Sequence, residues 1–269
     1  MPWGAPFIQN PSEVVVFMDL IWACMAALGA GFVDAVVGGG GLVLTPALFA
    51  LFPTAPPPAL LGTNKATGIW GTAVAARQFA RRVDMPWAIL LPAAALAFLG
   101  SMGGAWTVTR FPPDALRRLL PFILLAVLMY TLARKDMGRD HVPFRSTRAA
   151  TALACGAGLF IGFYDGFFGP GTGSFLVFFF VRMLGFDFLH ASATAKLLNT
   201  ATTLAALLLL ATKGLVWWHY AIPMAVANVA GSLAGTHTAL KHGSGFVRGM
   251  FIVVVSLLIL KTGYDAFLR

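Results

Sequence analysis

The sequence has few charged residues for its length. Only 11% of its 269 residues are Asp, Glu, Lys or Arg, whereas 58% are hydrophobic and the mean hydropathy is +0.81. So small a polar fraction cannot cover the surface of a water-soluble globule. The scarcity of charge indicates an all-α polytopic membrane protein.

The motifs of most enzyme classes are also missing. The chain has two cysteines and five histidines, none at the spacing of a metal site, and it contains no HExxH, no G-x-S-x-G and no Walker A sequence. We therefore expect no catalysis, no ATP binding and no cofactor. The net charge of +9 resides in short loops between apolar segments rather than in a basic patch with exposed aromatics, so no nucleic-acid partner is expected.

The apolar residues are grouped into segments that can cross a bilayer. About 20 helical residues span about 30 Å of hydrocarbon. Two stretches, 38–52 and 169–184, are shorter, and each begins with a glycine cluster. The eight long segments are 14–36, 62–80, 87–109, 115–133, 149–168, 191–212, 217–240 and 246–266.

The chain aligns with itself without a gap when its second half is laid over its first. Asp34 then falls on Asp165 and Lys65 on Lys196. An internal duplication in an apolar chain is typical of transporter folds. This repeat predicts one transporter domain made of a first half at 1–135, a basic cytoplasmic linker at 136–148 and a second half at 149–269. Further matched pairs include Gly38/Gly169, Gly40/Gly171, Thr63/Thr194, Thr72/Thr203, Gly100/Gly231, Ser101/Ser232 and Gly104/Gly235.

The basic residues predict the orientation in the membrane. Arginines cluster at 77–82 and, with one lysine, at 134–148, so the positive-inside rule assigns both loops to the cytoplasm. The stretch before Met18 contains no Lys or Arg, unlike a secretory signal peptide, and we expect the first segment to be retained and to begin outside.

Two arrangements of the halves are open. If the short glycine-led stretches are re-entrant, each half has four crossings and the halves are parallel, whereas five crossings would invert them. In the second half, Lys213 is the one basic residue kept in the loop equivalent to 77–82. The next loop is instead enriched in basic residues, namely Lys241, His242 and Arg248. This exchange of charge favours inversion.

The glycine clusters are the first candidate site. Helical glycine costs about 1 kcal/mol relative to alanine, so each cluster predicts a broken helix. The short helix after each break presents its N-terminus and positive dipole end, which favours an anion, although the glycines could instead serve only close helix packing. The candidate substrate-binding residues in these clusters are Gly38, Gly39, Gly40, Gly41, Gly169, Gly171, Thr172, Gly173 and Ser174.

Each half also carries one lysine in an apolar stretch. An ammonium inside a bilayer costs a few kcal/mol, so Lys65 and Lys196 need a partner. A bound anion could supply it, with Asn64 and Asn199 as polar companions. Alternatively the lysines could snorkel to the interface or pair with Asp34 or Asp165. These two aspartates could couple transport to protons or brace the broken helices.

The segments around these residues resemble a known family. GFVDAVVGGGGLVLTPAL, ALLGTNKATGIWGTAVAARQF, GFYDGFFGPGTGSF and ASATAKLLNTATTLAAL are similar to signature segments of the sulfite exporter TauE/SafE family, and the resemblance extends from about residue 14 to residue 266. It implies a secondary transporter of sulfite, sulfoacetate or other organosulfonates in the bacterial inner membrane. A passive anion channel, or a carrier of another small carboxylate or inorganic anion, is the alternative.

Overall fold

The computed structural model describes residues 11–112, 115 and 147–267, and all the regular structure in these residues is helical. The last helix has a kink at Gly243, where φ is 69°. In chain order the helices are α1 (Pro11–Val37), α2 (Gly40–Leu51), α3 (Pro57–Ala80), α4 (Trp87–Val108), α5 (Thr147–Phe167), α6 (Thr172–Leu184), α7 (Phe188–Thr212) and α8 (Trp218–Phe267).

The helices confirm a polytopic helical membrane protein, but not the predicted number of eight long spans. The predicted segment 115–133 and nearly all of the linker at 136–148 lie outside the described residues. Helix α3 is long but less apolar, because its first three turns are buried against protein and need no affinity for lipid. Within the part of the chain that the structure describes, four helices are both long and apolar enough to cross a membrane, and they contain Met18–Val36, Trp87–Val108, Arg148–Phe167 and Phe188–Thr212.

Helices α1 and α2 form a hairpin. The helical conformation ends at Val37, and Gly38 adopts a φ of 77°, which is left-handed. After this turn Gly40 lies beside the side chain of Asp34 and the carbonyl of Ala30. A continuing helix would place residue 40 about 15 Å beyond residue 30, at about 1.5 Å per residue. The short helix therefore turns back along α1 instead of extending the crossing.

Helices α5 and α6 form the corresponding hairpin in the second half. Gly169 and Gly171 both have positive φ, at 96° and 86°. Phe175 of α6 packs edge-to-face on Tyr164 of α5, with ring centroids 5.4 Å apart. The hydroxyl of Tyr164 also donates a 2.6 Å hydrogen bond to the Pro170 carbonyl, which fixes the turn.

Neighbouring contacts give the relative directions of the helices. Leu28 and Phe32 of α1 meet Gly231 and Gly235 of α8 in the same order, so these helices are parallel. The start of α3 meets the start of α8, where Trp217 N–H donates to the Thr63 hydroxyl, and Ser232 later donates to the Gly71 carbonyl.

Helices α3 and α7, which are equivalent in the internal repeat, run antiparallel. Gly62 near the start of α3 lies beside Leu210 near the end of α7. Further along α3, Thr72 shares the carboxylate of Asp34 with Lys196, which lies near the start of α7. The short helices therefore fold back, and yet equivalent helices point in opposite directions.

Contacts between the halves recur at equivalent positions of the repeat. Ser101 Oγ donates to the Thr202 carbonyl, and the equivalent Ser232 Oγ donates to the Gly71 carbonyl, each at 2.6 Å. Gly100 packs on the backbone of Leu159, just as Gly231 packs on that of Leu28. The glycines spaced G-x-x-x-G thus allow the helices to approach at backbone distance.

Large apolar side chains cover the outside of the helices. Trp22, Trp70, Phe160 and Val226 are each more than half exposed. In a membrane protein such residues face lipid chains rather than water. The polar residues are instead buried inside the bundle, where they form the candidate site.

Candidate functional site

The tips of the two hairpins meet inside the protein. A Cβ atom added to Gly38 would lie 2.5 Å from the backbone of Gly173, and one added to Gly41 would lie 3.3 Å from Cα of Pro170. Glycine is therefore required at Gly38 for two reasons, its left-handed φ and this close contact. The two broken segments, predicted from separate glycine clusters, form one structural unit.

A cavity lies beside the hairpin tips. The space open to the centre of a water-sized sphere is about 50 Å³, whereas one water needs roughly 10–15 Å³ by that measure. The cavity can therefore hold a few waters or a compact ion of a few heavy atoms. Its lining residues are Ala30, Asp34, Gly38, Gly40, Gly41, Leu44, Asn64, Lys65, Gly68, Thr72, Asp165, Gly169, Gly171, Thr172, Gly173, Asn199, Thr203 and Asn228.

The cationic group of the cavity is Lys65. Its Nζ lies 2.7 Å from Oδ1 of Asp165, on the second hairpin, and both side chains are nearly inaccessible. The Nζ also lies so close to Gly169 that a Cβ there would be 2.8 Å away. The other carboxylate oxygen, Asp165 Oδ2, is buried and has no hydrogen-bond partner in the described part of the chain.

The equivalent pair in the other half is more fully bonded. Lys196 Nζ lies 3.3 Å from Asp34 Oδ2 and also donates to the backbone carbonyl of Asp34. Thr72 donates to the same Oδ2 at 3.0 Å. Lys196 is 1% exposed and does not line the cavity. This lysine thus holds the end of α1 against α7, while Lys65 faces the cavity.

Both lysines pair with the aspartate of the opposite half, so each ion pair ties a hairpin to a long helix. This pairing was one of the alternatives left open by the sequence. The two ammonium groups and the two carboxylates cancel in formal charge. Any net positive potential in the cavity must then come from backbone dipoles or from a proton added to a carboxylate.

The backbone supplies such dipoles. Helices α2 and α6 begin at the cavity, and neither has a side-chain cap at its N-terminus. The first turns, which contain Gly40, Gly41, Thr172 and Gly173, line the space. Helix N-termini carry unpaired N–H groups and about half a positive charge each, which favours an anionic ligand.

Three amide side chains complete the lining. Asn64 donates to the Thr45 hydroxyl at 2.9 Å, and Asn228 donates to the Ala27 carbonyl at 3.0 Å, which leaves both amide oxygens as acceptors. The amide of Asn199 has no partner among the residues that are described. Donors and acceptors are thus both available to a polar ligand.

Most of the predicted site residues come together here. Of the predicted set, Gly39, Ser174 and Lys196 do not line the cavity. The break is also shorter than predicted, because Gly40 and Gly41 already belong to the first turn of α2. Their lack of side chains serves close approach, to Asp34 for Gly40 and to Pro170 for Gly41.

Some lining residues were missed. Thr72 and Thr203 were visible as a matched pair of the repeat, but their hydroxyls were not assigned to a site. Asn228 carried no such signal, because its equivalent in the first half is Ala97. Only the packing of α8 against α1 and α3 brings this amide to the cavity.

Comparison with known proteins gives consistent matches. Residues 23–262 match the family model described as "Sulfite exporter TauE/SafE". The chain is 35% identical over 245 residues to the "Probable membrane transporter protein ORF9" of Sinorhizobium sp, covering 89% of this chain and 90% of that one. It is 35% identical over 240 residues to the "Probable membrane transporter protein YfcA" of Escherichia coli K12, covering 89% and 88%.

A "Probable membrane transporter protein" of Haemophilus influenzae is 33% identical over 240 residues, covering 88% of this chain and 91% of its own. No solved structure matches. The matched proteins are membrane transporters and not enzymes. Together with the apolar spans, they identify an integral protein of the inner membrane.

Proposed function

Because the chain belongs to the sulfite exporter TauE/SafE family of membrane transporters, we propose that it is a secondary transporter of a small sulfur-containing anion, such as sulfite or an organosulfonate. The observation that supports this proposal is the cavity where the N-termini of α2 and α6 meet, which is lined by Lys65. Sulfite has four heavy atoms, which suits a space of about 50 Å³.

The two halves act as inverted repeats in this proposal. The antiparallel course of α3 and α7 and the paired contacts at equivalent positions support it. Each hairpin adds no net crossing, so three crossing helices per half invert the second half. The predicted segment 115–133 is counted among these crossings as an expectation from the sequence, since it lies outside the described residues.

Substrate and Asp165 compete for one ammonium group. An anion that binds the Lys65 ammonium would lie close to the carboxylate of Asp165, whose Oδ1 is 2.7 Å from the same Nζ. Two negative charges that share one ammonium group repel each other strongly in a medium of low dielectric constant. Proton uptake on Asp165, whose Oδ2 has no partner in the described residues, relieves this repulsion. Anion and proton therefore bind together, and each increases the affinity for the other.

Transport by the purified protein tests the substrate class. Proteoliposomes loaded with unlabelled sulfite should accumulate external labelled sulfite transiently by counterflow. Lys65→Met should abolish this uptake, whereas Lys213→Met, which removes an exposed lysine, should leave it unchanged. Uptake that does not saturate and shows no counterflow would indicate the channel alternative. Counterflow of acetate but not of sulfite would contradict the substrate class.

A second measurement tests coupling to protons. Internal pH and labelled sulfite are followed together in vesicles that contain Asp165→Asn, with Asp84→Asn as the control at an exposed carboxylate. The Asp165 variant should lose substrate-driven proton movement and the pH dependence of uptake, while the control keeps both. If Asp165→Asn transports with unchanged pH dependence, the carboxylate only braces the hairpin and the coupling proposal is wrong.

A further inference from the structure

The cavity is asymmetric although the surrounding contacts are paired. Several lining residues have equivalents that also line it, such as Asp34 with Asp165 and Thr72 with Thr203. Six others line it alone, namely Ala30, Leu44, Asn64, Lys65, Gly173 and Asn228. Their equivalents do not line it, and these are Ile161, Phe175, Ala195, Lys196, Leu42 and Ala97.

The unmatched polar residues of α3 lie towards one face of the membrane. Asn64 and Lys65 are in the first half of α3, whereas the exposed Arg81 and Arg82 follow its end. The parallel helix α8 brings the exposed Lys241 to the same end as these arginines. The positive-inside rule makes that end cytoplasmic. The cavity is therefore displaced from the hairpin tips towards the outer face.

We propose that the same anion occupies a second position, on the cytoplasmic side of the hairpin tips, in which Lys196 takes the role of Lys65. This inference rests on the inverted repeats of the proposed function. In a protein of two inverted halves, each half can adopt the conformation that the other has now. Lys196 then leaves Asp34 and faces a cavity beside Ala195, while Lys65 becomes sealed against Asp165.

The two positions differ in chemistry. Asn64 and Asn228 provide amides on the outer side, where the equivalents Ala195 and Ala97 provide only methyl groups. Fewer hydrogen bonds hold the anion in the cytoplasmic position, so binding there is weaker and release is faster. The asymmetry of the sequence thus gives the two sides of the pathway different affinities.

Cysteine labelling tests the exchange without any need for transport. In a protein freed of its own thiols by Cys24→Ser and Cys155→Ser, Asn64→Cys should react with an impermeant cationic thiosulfonate added outside. Ala195→Cys, although fully buried in this structure, should react with the reagent only from the cytoplasmic side. Lys213→Cys and Arg82→Cys, at exposed positions in the loops that follow α7 and α3, serve as accessible controls for the two faces.

Substitutions that shift the equilibrium between the two conformations should change the labelling of the two cysteines in opposite directions. Asp34→Asn weakens the bond to Lys196 and should raise labelling of Ala195→Cys while lowering that of Asn64→Cys. Asp165→Asn should do the opposite. A change on the order of tenfold corresponds to about 1.4 kcal/mol between the states. If either aspartate variant fails to fold, the neutral pair Asp34→Asn with Lys196→Gln replaces the former and Asp165→Asn with Lys65→Gln the latter.

The outcomes separate this inference from the substrate class. Reciprocal labelling supports the exchange even if sulfite is not transported. Ala195→Cys that stays unreactive in every background, or labelling of both cysteines that changes in the same direction, overturns the exchange even if sulfite counterflow is observed.

Discussion

Removal of the Lys65 ammonium should destabilise the protein and also abolish anion binding, and a second substitution should separate these effects. Lys65→Met leaves the Asp165 carboxylate, which is 1% exposed, without the cation 2.7 Å away. Breaking a buried ion pair by removing one partner costs about 3–5 kcal/mol. We expect a loss of this size, because Asp165 Oδ2 has no other donor in the described residues to compensate.

The double variant Lys65→Met with Asp165→Asn removes both charges. It should recover most of the lost stability, because a neutral pair of similar volume carries no uncompensated charge. It should not recover anion binding, since the ammonium is still absent. Single and double variants with nearly equal stability would refute the reasoning that charge pairing holds the second hairpin on α3.

Thermal unfolding in detergent and binding of labelled sulfite measure the two effects on the same samples. Lys213→Met, at an exposed site in the loop after α7, is the matched control and should change stability by no more than about 0.5 kcal/mol. Restored binding in the double variant would show that the anion does not need Lys65.

Three smaller effects follow from the packing. Gly166→Ala would place a methyl group on the Ser101 carbonyl and 2.7 Å from Ala105 N. This overpacking should cost about 1–3 kcal/mol and lower the thermal midpoint. The control Gly156→Ala meets nothing within 4 Å and should be neutral or slightly stabilising. Gly38→Ala should be destabilising and should impair transport, because it strains a φ of 77° and separates the hairpin tips. Asp187→Ala removes the N-cap bonds to Leu189 and His190 and should cost about 1 kcal/mol in denaturant unfolding, while Asp187→Asn should retain most of it.

The sequence predicted where the chain would be helical and where it would break. Apolar length predicted the ends of α1 and α4 to within one turn, because hydrocarbon thickness fixes the length of a spanning helix. The glycine clusters predicted both turns because only glycine tolerates the left-handed φ found there. These properties are local, and a local pattern is sufficient to find them.

The pairing of the charges could not be predicted in the same way. Asp34 and Lys65 belong to the same half of the repeat. An ion pair within one half was therefore as reasonable as an ion pair between the halves. The observed bonds run from Lys65 to Asp165 and from Lys196 to Asp34 because each hairpin lies against the long helix of the other half. That arrangement depends on helix packing, which the spacing of residues does not specify. The displacement of the cavity towards the outer face could not be predicted either, because it also depends on helix packing.

In the proposed function, the contact between the hairpin tips favours a carrier over a channel. Gly38 and Gly173 approach so closely that no methyl group fits between them, and Gly41 is nearly as close to Pro170. An anion that occupies a cavity of about 50 Å³ cannot pass this contact. It can reach the other side only if a hairpin moves relative to the long helix to which one ion pair ties it, α7 for the first hairpin and α3 for the second. In this proposal a conformational step limits the flux, so we expect the flux to saturate with substrate and to show counterflow, as a carrier does and an open pore does not.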